Sequence, residues 1–136
     1  VARDLLCTQF IMTSRQRTVG RWLIDSLRRI AALEYAFLDA CESAARSAGD
    51  VLFAMRVGAA QVHLFDLGTA LRELGDGSLS YSACVRQSLL HGGTPEAVLR
   101  RLESESERAL SHKDTPEGLR TLLRSNLAEH RSLLFV

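Results

Sequence analysis

Apolar residues recur along this chain at spacings of three and four, and no stretch alternates with period two. Such periodicity predicts helices that each bury one stripe, and it asks for no strand. In the second quarter Phe53, Val57, Ala60, Leu64, Leu67 and Leu71 follow the rule, and near the end Leu119, Leu122, Leu123, Leu127, Leu133 and Leu134 do the same. The stretch "RIAALEYAFLDACESAA" sets Leu27, Ile30, Leu38, Cys41 and Ala45 on one stripe, and Glu34 falls on it too. A carboxylate among residues that leave water needs a cationic partner, a metal ion or water, because an unpaired buried charge is costly.

The boundaries come from caps. Both prolines follow a threonine, in "TPEAVLRRLE" and "TPEGLRTLLR". Threonine as N-cap, proline at the first helical position and glutamate in the first turn is a strong helix start. Four main helices are predicted: Thr18 to Ser47, Val51 to Leu74, Pro95 to Lys113 and Pro116 to Leu134. Gly49 suits a left-handed stop, Asp50 caps the second helix, and "GDGS" from Gly75 ends it. Ser80 to Leu90 reads as a short extra helix closed by Gly92 and Gly93. The expected fold is all-α: two tight hairpins form a four-helix bundle, preceded by an N-terminal extension over residues 1–17. The connection between helices 2 and 3 is long enough, with its short helix, to carry the chain back along the bundle. Helices 2 and 3 then run parallel, which is the ferritin-like topology.

Size and composition narrow the function. A chain of 136 residues, 46% apolar, is one soluble-type domain with a real core. The net charge is +1, so nothing global favours nucleic acid. The basic start "SRQRTVGRW" reads as a solvated helix end, with no nucleic-acid motif around Trp22. Lys113 is the sole lysine among many arginines, which reads as a coding bias of a GC-rich genome. Three cysteines, Cys7, Cys41 and Cys84, fit no disulfide framework and point to a reducing, cytoplasmic setting, with Cys41 a small core residue. No run approaches the ~20 apolar residues of a membrane span. "VARDLLCTQFIM" lacks a long apolar signal core, and Met12 with "TSRQR" reads like a natural beginning. Residues 1–11 are therefore expected as an upstream extension or a loosely docked tail. Phosphate-loop, dinucleotide, H-E-x-x-H and G-x-S-x-G patterns are absent, and "ESESERALSHKD" reads as a solvated, salt-bridged face.

One chemistry stands out. Dimetal helical bundles use a glutamate on each of two helices and Glu-x-x-His on each of the others, because residues three apart share a face. Here the helices offer, in order, Glu34, His63, Glu103 (or Glu105) and His130. Ala60 and Leu127 stand where the two bridging glutamates would be, and Glu129 lies off-register beside His130. A two-metal oxidase centre is thus incomplete; one ion of iron, zinc or manganese held by the histidines and a carboxylate or two stays open beside the plainer reading, in which Glu34 pairs with an arginine of another helix and His63 and His130 are satisfied core histidines.

The run "AAQVHLFDLGTALRELGDGSLS" resembles the second helix and following turn of a bacterial ferritin-like family of unknown function, in which that helix ends in a pattern such as L-x-x-x-L-R-x-L-G-G. "AVLRRLESESERALSHKDTPEGLRTLLRSNLAEHRSLL" is similar to its third and fourth helices, with an acidic segment before "AL" and a late histidine. The resemblance covers most of residues 20 to 135. It implies a bacterial, soluble four-helix bundle without an assigned activity, possessing watch positions at Glu34, His63, Glu103 and His130, and the departures at Ala60 and Leu127 speak against metal-dependent oxidation. The expected role is non-catalytic: a self-associating or partner-binding module, linked to stress responses by family analogy alone, with Trp22, Leu23, Tyr35 and Phe37 as a dimer face. A metal-binding protein with a reduced Glu/His site is the alternative.

Overall fold

The computed structural model describes residues 14–45, 51–75 and 93–134, and every regular element among them is a helix. Helix α1 spans Ser14–Ala45, α2 Val51–Glu73, α3 Pro95–Ser111 and α4 Glu117–Leu134. The expected short helix at Ser80–Leu90 lies outside the described residues, as does all of the N-terminal extension up to residue 13. Helix α1 starts at Ser14 rather than Thr18. "SRQR" holds good helix formers and no breaker, so nothing stops the helix from reaching back a turn.

The two Thr-Pro starts share a grammar but not a use. Thr94 is a true N-cap, its hydroxyl accepting from the Ala97 amide at 3.2 Å. Thr115 is buried and its hydroxyl instead donates to the Ala109 carbonyl at 2.6 Å. It thereby satisfies one of the orphan carbonyls at the end of α3. The amides of Leu119 and Arg120 bond to the Pro116 carbonyl, and Arg120 clamps the hairpin through the carbonyls of His112 and Thr115. Gly75, at φ +86°, closes α2 in the left-handed region that a glycine enters without strain.

Round the bundle the order is α1, α2, α4, α3. Helix α1 packs on α2 and α3, α4 packs on the same two, and the diagonals make no close backbone approach. Cross-helix contacts give the directions. Trp22 stacks on His112 and Arg29 meets Glu105, so α1 and α3 are antiparallel. Arg56 donates to the Leu133 carbonyl while His63 meets His130, so α2 and α4 are antiparallel as well. It follows that α2 and α3 run the same way, and Glu73 and Pro95 lie at opposite ends of the bundle.

The core is Leu23, Leu27, Ile30, Phe37, Leu67, Leu71, Leu102, Leu119 and Leu123 with smaller residues between them. Two members of the expected dimer face belong to this core: Leu23 and Phe37 are buried. The other two, Trp22 and Tyr35, are half-buried and pack against it. A helix touching two neighbours buries a face wider than one stripe, and among the described side chains of α1 no large apolar residue is left exposed. Helix α2 departs from the amphipathic expectation in the opposite sense. Ala60, Leu67 and Leu71 are fully buried as the periodicity requires, yet Val51, Met55, Val62 and Phe65 stand exposed on its outer side. A helix apolar on both faces has something to bury twice.

Candidate metal centre

Glu34 answers its own sequence puzzle. It sits near the middle of α1, 1% exposed, and its carboxylate faces His63 from α2 and His130 from α4. The two histidines are equally deep, at 3% and 0% exposure. His63 Nδ1 lies 2.8 Å from Glu34 Oε2 and 3.0 Å from His130 Nε2. His130 Nε2 is 3.0 Å from Glu34 Oε2 and in closer contact with Oε1. Each of the three offers one ligand atom to a single small space, all within 4.8 Å of one another. The imidazoles are nearly perpendicular, and Phe37 packs against the His130 ring with centroids 4.4 Å apart, fixing its plane.

Helix geometry explains the convergence. Helices α1 and α4 lie on a diagonal, so a residue pointing along it reaches the bundle axis, where one long side chain from each meets the other. His63 enters from α2 between them. The outer nitrogen of His63, Nε2, is 2.9 Å from Glu129 Oε1, a carboxylate half in solvent.

That double contact makes a chemical demand. A neutral imidazole carries one N–H. If His63 gives it to Glu129, its Nδ1 lone pair faces the Glu34 carboxylate and His130 Nε2. If it gives the proton to Glu34, a lone pair faces Glu129. Both nitrogens are satisfied at once by a second proton on His63, by the Nε2–H of His130 donating to His63 Nδ1 at 3.0 Å, or by a metal ion on the Glu34 side. The titration tendencies agree. Burial works against the charged form of His63, but the bond to Glu34, its charge and that of Glu129 outweigh it and raise the imidazole above its ordinary value. Burial likewise pushes Glu34 up, and the hydrogen bonds and charges of His130 and His63 hold it below the usual carboxylate range. A histidine that offers one nitrogen inward and backs the other with a carboxylate is the arrangement by which metal-binding imidazoles are oriented. His130 differs: its Nδ1 is buried with no hydrogen-bond partner among the described residues.

Two imidazole nitrogens and a carboxylate are the donor set of zinc and ferrous iron sites. With bonds of 2.0–2.1 Å, tetrahedral ligand atoms stand ~3.3 Å apart. The present triangle needs to open by only a few tenths of an ångström. One ion is the limit here, since Ala60 and Leu127, one turn before each histidine, are buried and apolar.

The fourth expected ligand is not brought in. Glu103 lies at the margin of α3 and accepts from Arg131 Nε at 3.3 Å, while Glu105 accepts from Arg29 Nε at 2.5 Å. The α3 residues that turn inward around them are Leu99, Leu102 and Ser106. Glu129 reaches the cluster instead, at the outer nitrogen of His63. Cys41, seven residues along the same helix from Glu34, is buried, and burial raises its thiol to about 11, so it stays protonated as a core side chain.

Comparison with protein-family models, with curated proteins and with solved structures finds no match to this chain. No helix among the described residues is long and apolar enough to cross a membrane.

Proposed function

We propose that this chain is a metal-binding four-helix bundle that holds a single divalent ion, zinc or ferrous iron, between Glu34, His63 and His130. The carrying observation is the convergence of those three buried side chains from three helices, with the outer nitrogen of His63 backed by Glu129. Charge supports it: with neutral imidazoles, the two carboxylates balance a dication. Three protein ligands leave the fourth position of a tetrahedral ion open, but their burial at the bundle axis keeps that position from bulk solvent and favours a structural or sequestering role. The reading is accordingly non-enzymatic.

Two hairpins whose second and third helices run parallel match the ferritin-like arrangement. That, with the runs around His63 and His130, supports kinship with ferritin-like bundles in which one half of a dimetal site has become apolar. A bacterial, cytoplasmic origin belongs to the same reading. The test is elemental analysis of protein purified without chelator, then reloaded separately with zinc and with iron under argon. One ion per chain is expected in the native protein and none in His63→Ala or His130→Ala. Native protein that takes up neither metal would remove the proposal.

A further inference from the structure

The three buried side chains at the axis have one polar crossing to the outside. Glu34, His63 and His130 are 1%, 3% and 0% exposed. Among the described residues their hydrogen-bonding and ionic contacts are with one another, with a single exception. The exception is His63 Nε2, 2.9 Å from Glu129 Oε1. The Glu129 side chain is 51% exposed, so one carboxylate touches both the cluster and bulk water.

The neighbouring walls are hydrocarbon. The register of α1 on α3, set by Trp22 on His112 and Arg29 on Glu105, brings Leu99 and Leu102 to the level of Glu34. One turn from a ligand on its own helix stand Ile30, Phe37, Leu67 and Leu127, all buried. A dication that sheds its water against such walls finds nothing to replace it, and an uncompensated ion is costly there. Beside His63 a carboxylate meets the ion while it is still hydrated, and an imidazole follows.

We propose that Glu129 is the entry ligand of the metal centre: a divalent cation is taken first by the Glu129 carboxylate, between α2 and α4, and passes inward beside His63 to the buried triad. This rests on the metal-binding reading of Glu34, His63 and His130, and it gives that site its route to solvent. It also assigns Glu129 a role separate from backing the His63 ring. As a support it slows release of the ion. As an entry ligand its charge speeds capture, and like any steering charge it loses effect as salt rises.

Rates separate the two roles. Metal-free full-length protein is mixed with zinc in a stopped-flow instrument, with a zinc-sensitive dye as competitor, and release is followed separately by adding chelator. Position 129 lies at the surface, so substitutions there should fold. Glu129→Gln should lower the association rate constant about tenfold at low salt and flatten its salt dependence. Glu129→Asp keeps the charge at the rim but is one methylene too short for His63 Nε2. Its association rate should therefore stay within about twofold of the native value, while zinc leaves faster. Glu103→Gln, whose carboxylate lies at the α3 margin, should change neither rate. Equal association rates in native protein and Glu129→Gln overturn the entry role, and so does a drop that Glu129→Asp fails to repair. A rate that levels off with rising zinc at one value for all variants also overturns it, since opening of the bundle would then be the way in. These three results leave the zinc site standing, whereas native protein that binds no zinc at equilibrium removes the site and its entrance together.

Discussion

Carboxylates meet basic side chains between helices at two kinds of place in this bundle. At the axis, Glu34 meets two imidazoles in near-complete burial. At the α3 margin, Glu103 meets Arg131 with both side chains partly in water, and Glu105 meets Arg29, whose side chain is half-exposed. Both kinds tie helices together, but the chemistry differs. A guanidinium stays protonated and has no lone pair to give, so the marginal pairs can only be ion pairs. An imidazole can shed its proton and become a ligand, so the axial cluster has two lives, as a proton-linked network or as a metal site. Burial also changes the stakes. Screened pairs contribute little, whereas a buried charge that loses its partner is expensive.

The largest break should come from removing one axial partner. His130→Ala leaves Glu34 half-compensated and opens a void beside Phe37. Loss of a partner from a buried pair costs about 3–5 kcal/mol, so the metal-free melting temperature followed by circular dichroism should fall by ~10–20 °C. Replacing all three, as Glu34→Leu with His63→Leu and His130→Leu, should cost less than the single change, because no charge remains to be stranded. A triple variant that melts lower still would mean that the cluster contributes net stability even without an ion.

Next in size is the effect of the ion itself. Zinc at a hundredfold excess over its dissociation constant should add ~2.7 kcal/mol, readable as several degrees in the melting temperature and reversed by chelator. Glu129→Gln keeps the shape but weakens the support of His63, and should lower affinity roughly 10–100-fold in a competition titration. Glu103→Gln should leave that affinity unchanged. If the two substitutions act alike, the distinction between axis and margin fails.

How far this could be read from the sequence follows the same division. The stripe on α1 places Glu34 inward, and histidine at matching depth on α2 and α4 points to the two imidazoles that meet it. Face within a helix is written in the 3.6-residue period. Axial register between helices is not, and so Glu103 looked as eligible as Glu34 although it lies at the α3 margin, against Arg131. Glu129 was set aside because neighbours on a helix point ~100° apart. Helix α4, however, packs on two partners, so His130 serves the axis while Glu129 serves α2. The same wide burial of an inner helix absorbed Trp22, Leu23, Tyr35 and Phe37 into or onto the core. At Thr115 the Thr-Pro grammar was right about where a helix begins and silent about which carbonyl the hydroxyl would find.

A smaller effect, and one of direction, concerns pH. Glu34 titrates below its ordinary 4.5 in the folded chain. Its contribution to stability is complete above that value and is lost as pH falls through the folded one. His63 titrates above its ordinary 6.5. Its contribution is complete below that value and is lost as pH rises through the folded one. Metal-free protein should therefore be most stable between the two ordinary values and weaken on both sides. With zinc bound the alkaline decline should disappear, because coordination displaces the imidazole proton and strengthens as pH rises. Melting curves across pH, with and without zinc, would show the two profiles separating only above neutrality. Parallel profiles would exclude His63 from coordination.

The smallest effect is expected at the margin, and its smallness is the point. Arg131 and Glu103 bridge α4 and α3 with their side chains 47% and 32% exposed. The carboxylate raises the guanidinium's already high value, which changes nothing at any pH the protein would meet. Solvent screening and the entropy of ordering two long side chains leave such a pair ~0.5 kcal/mol or less. Arg131→Ala should thus move the melting temperature by no more than a degree or two at low salt, and moderate salt should erase even that. Metal content should be untouched. A loss comparable to that of His130→Ala, or a loss of bound ion, would mean that the α3 margin communicates with the axis, and Glu103 would return as a member of the centre.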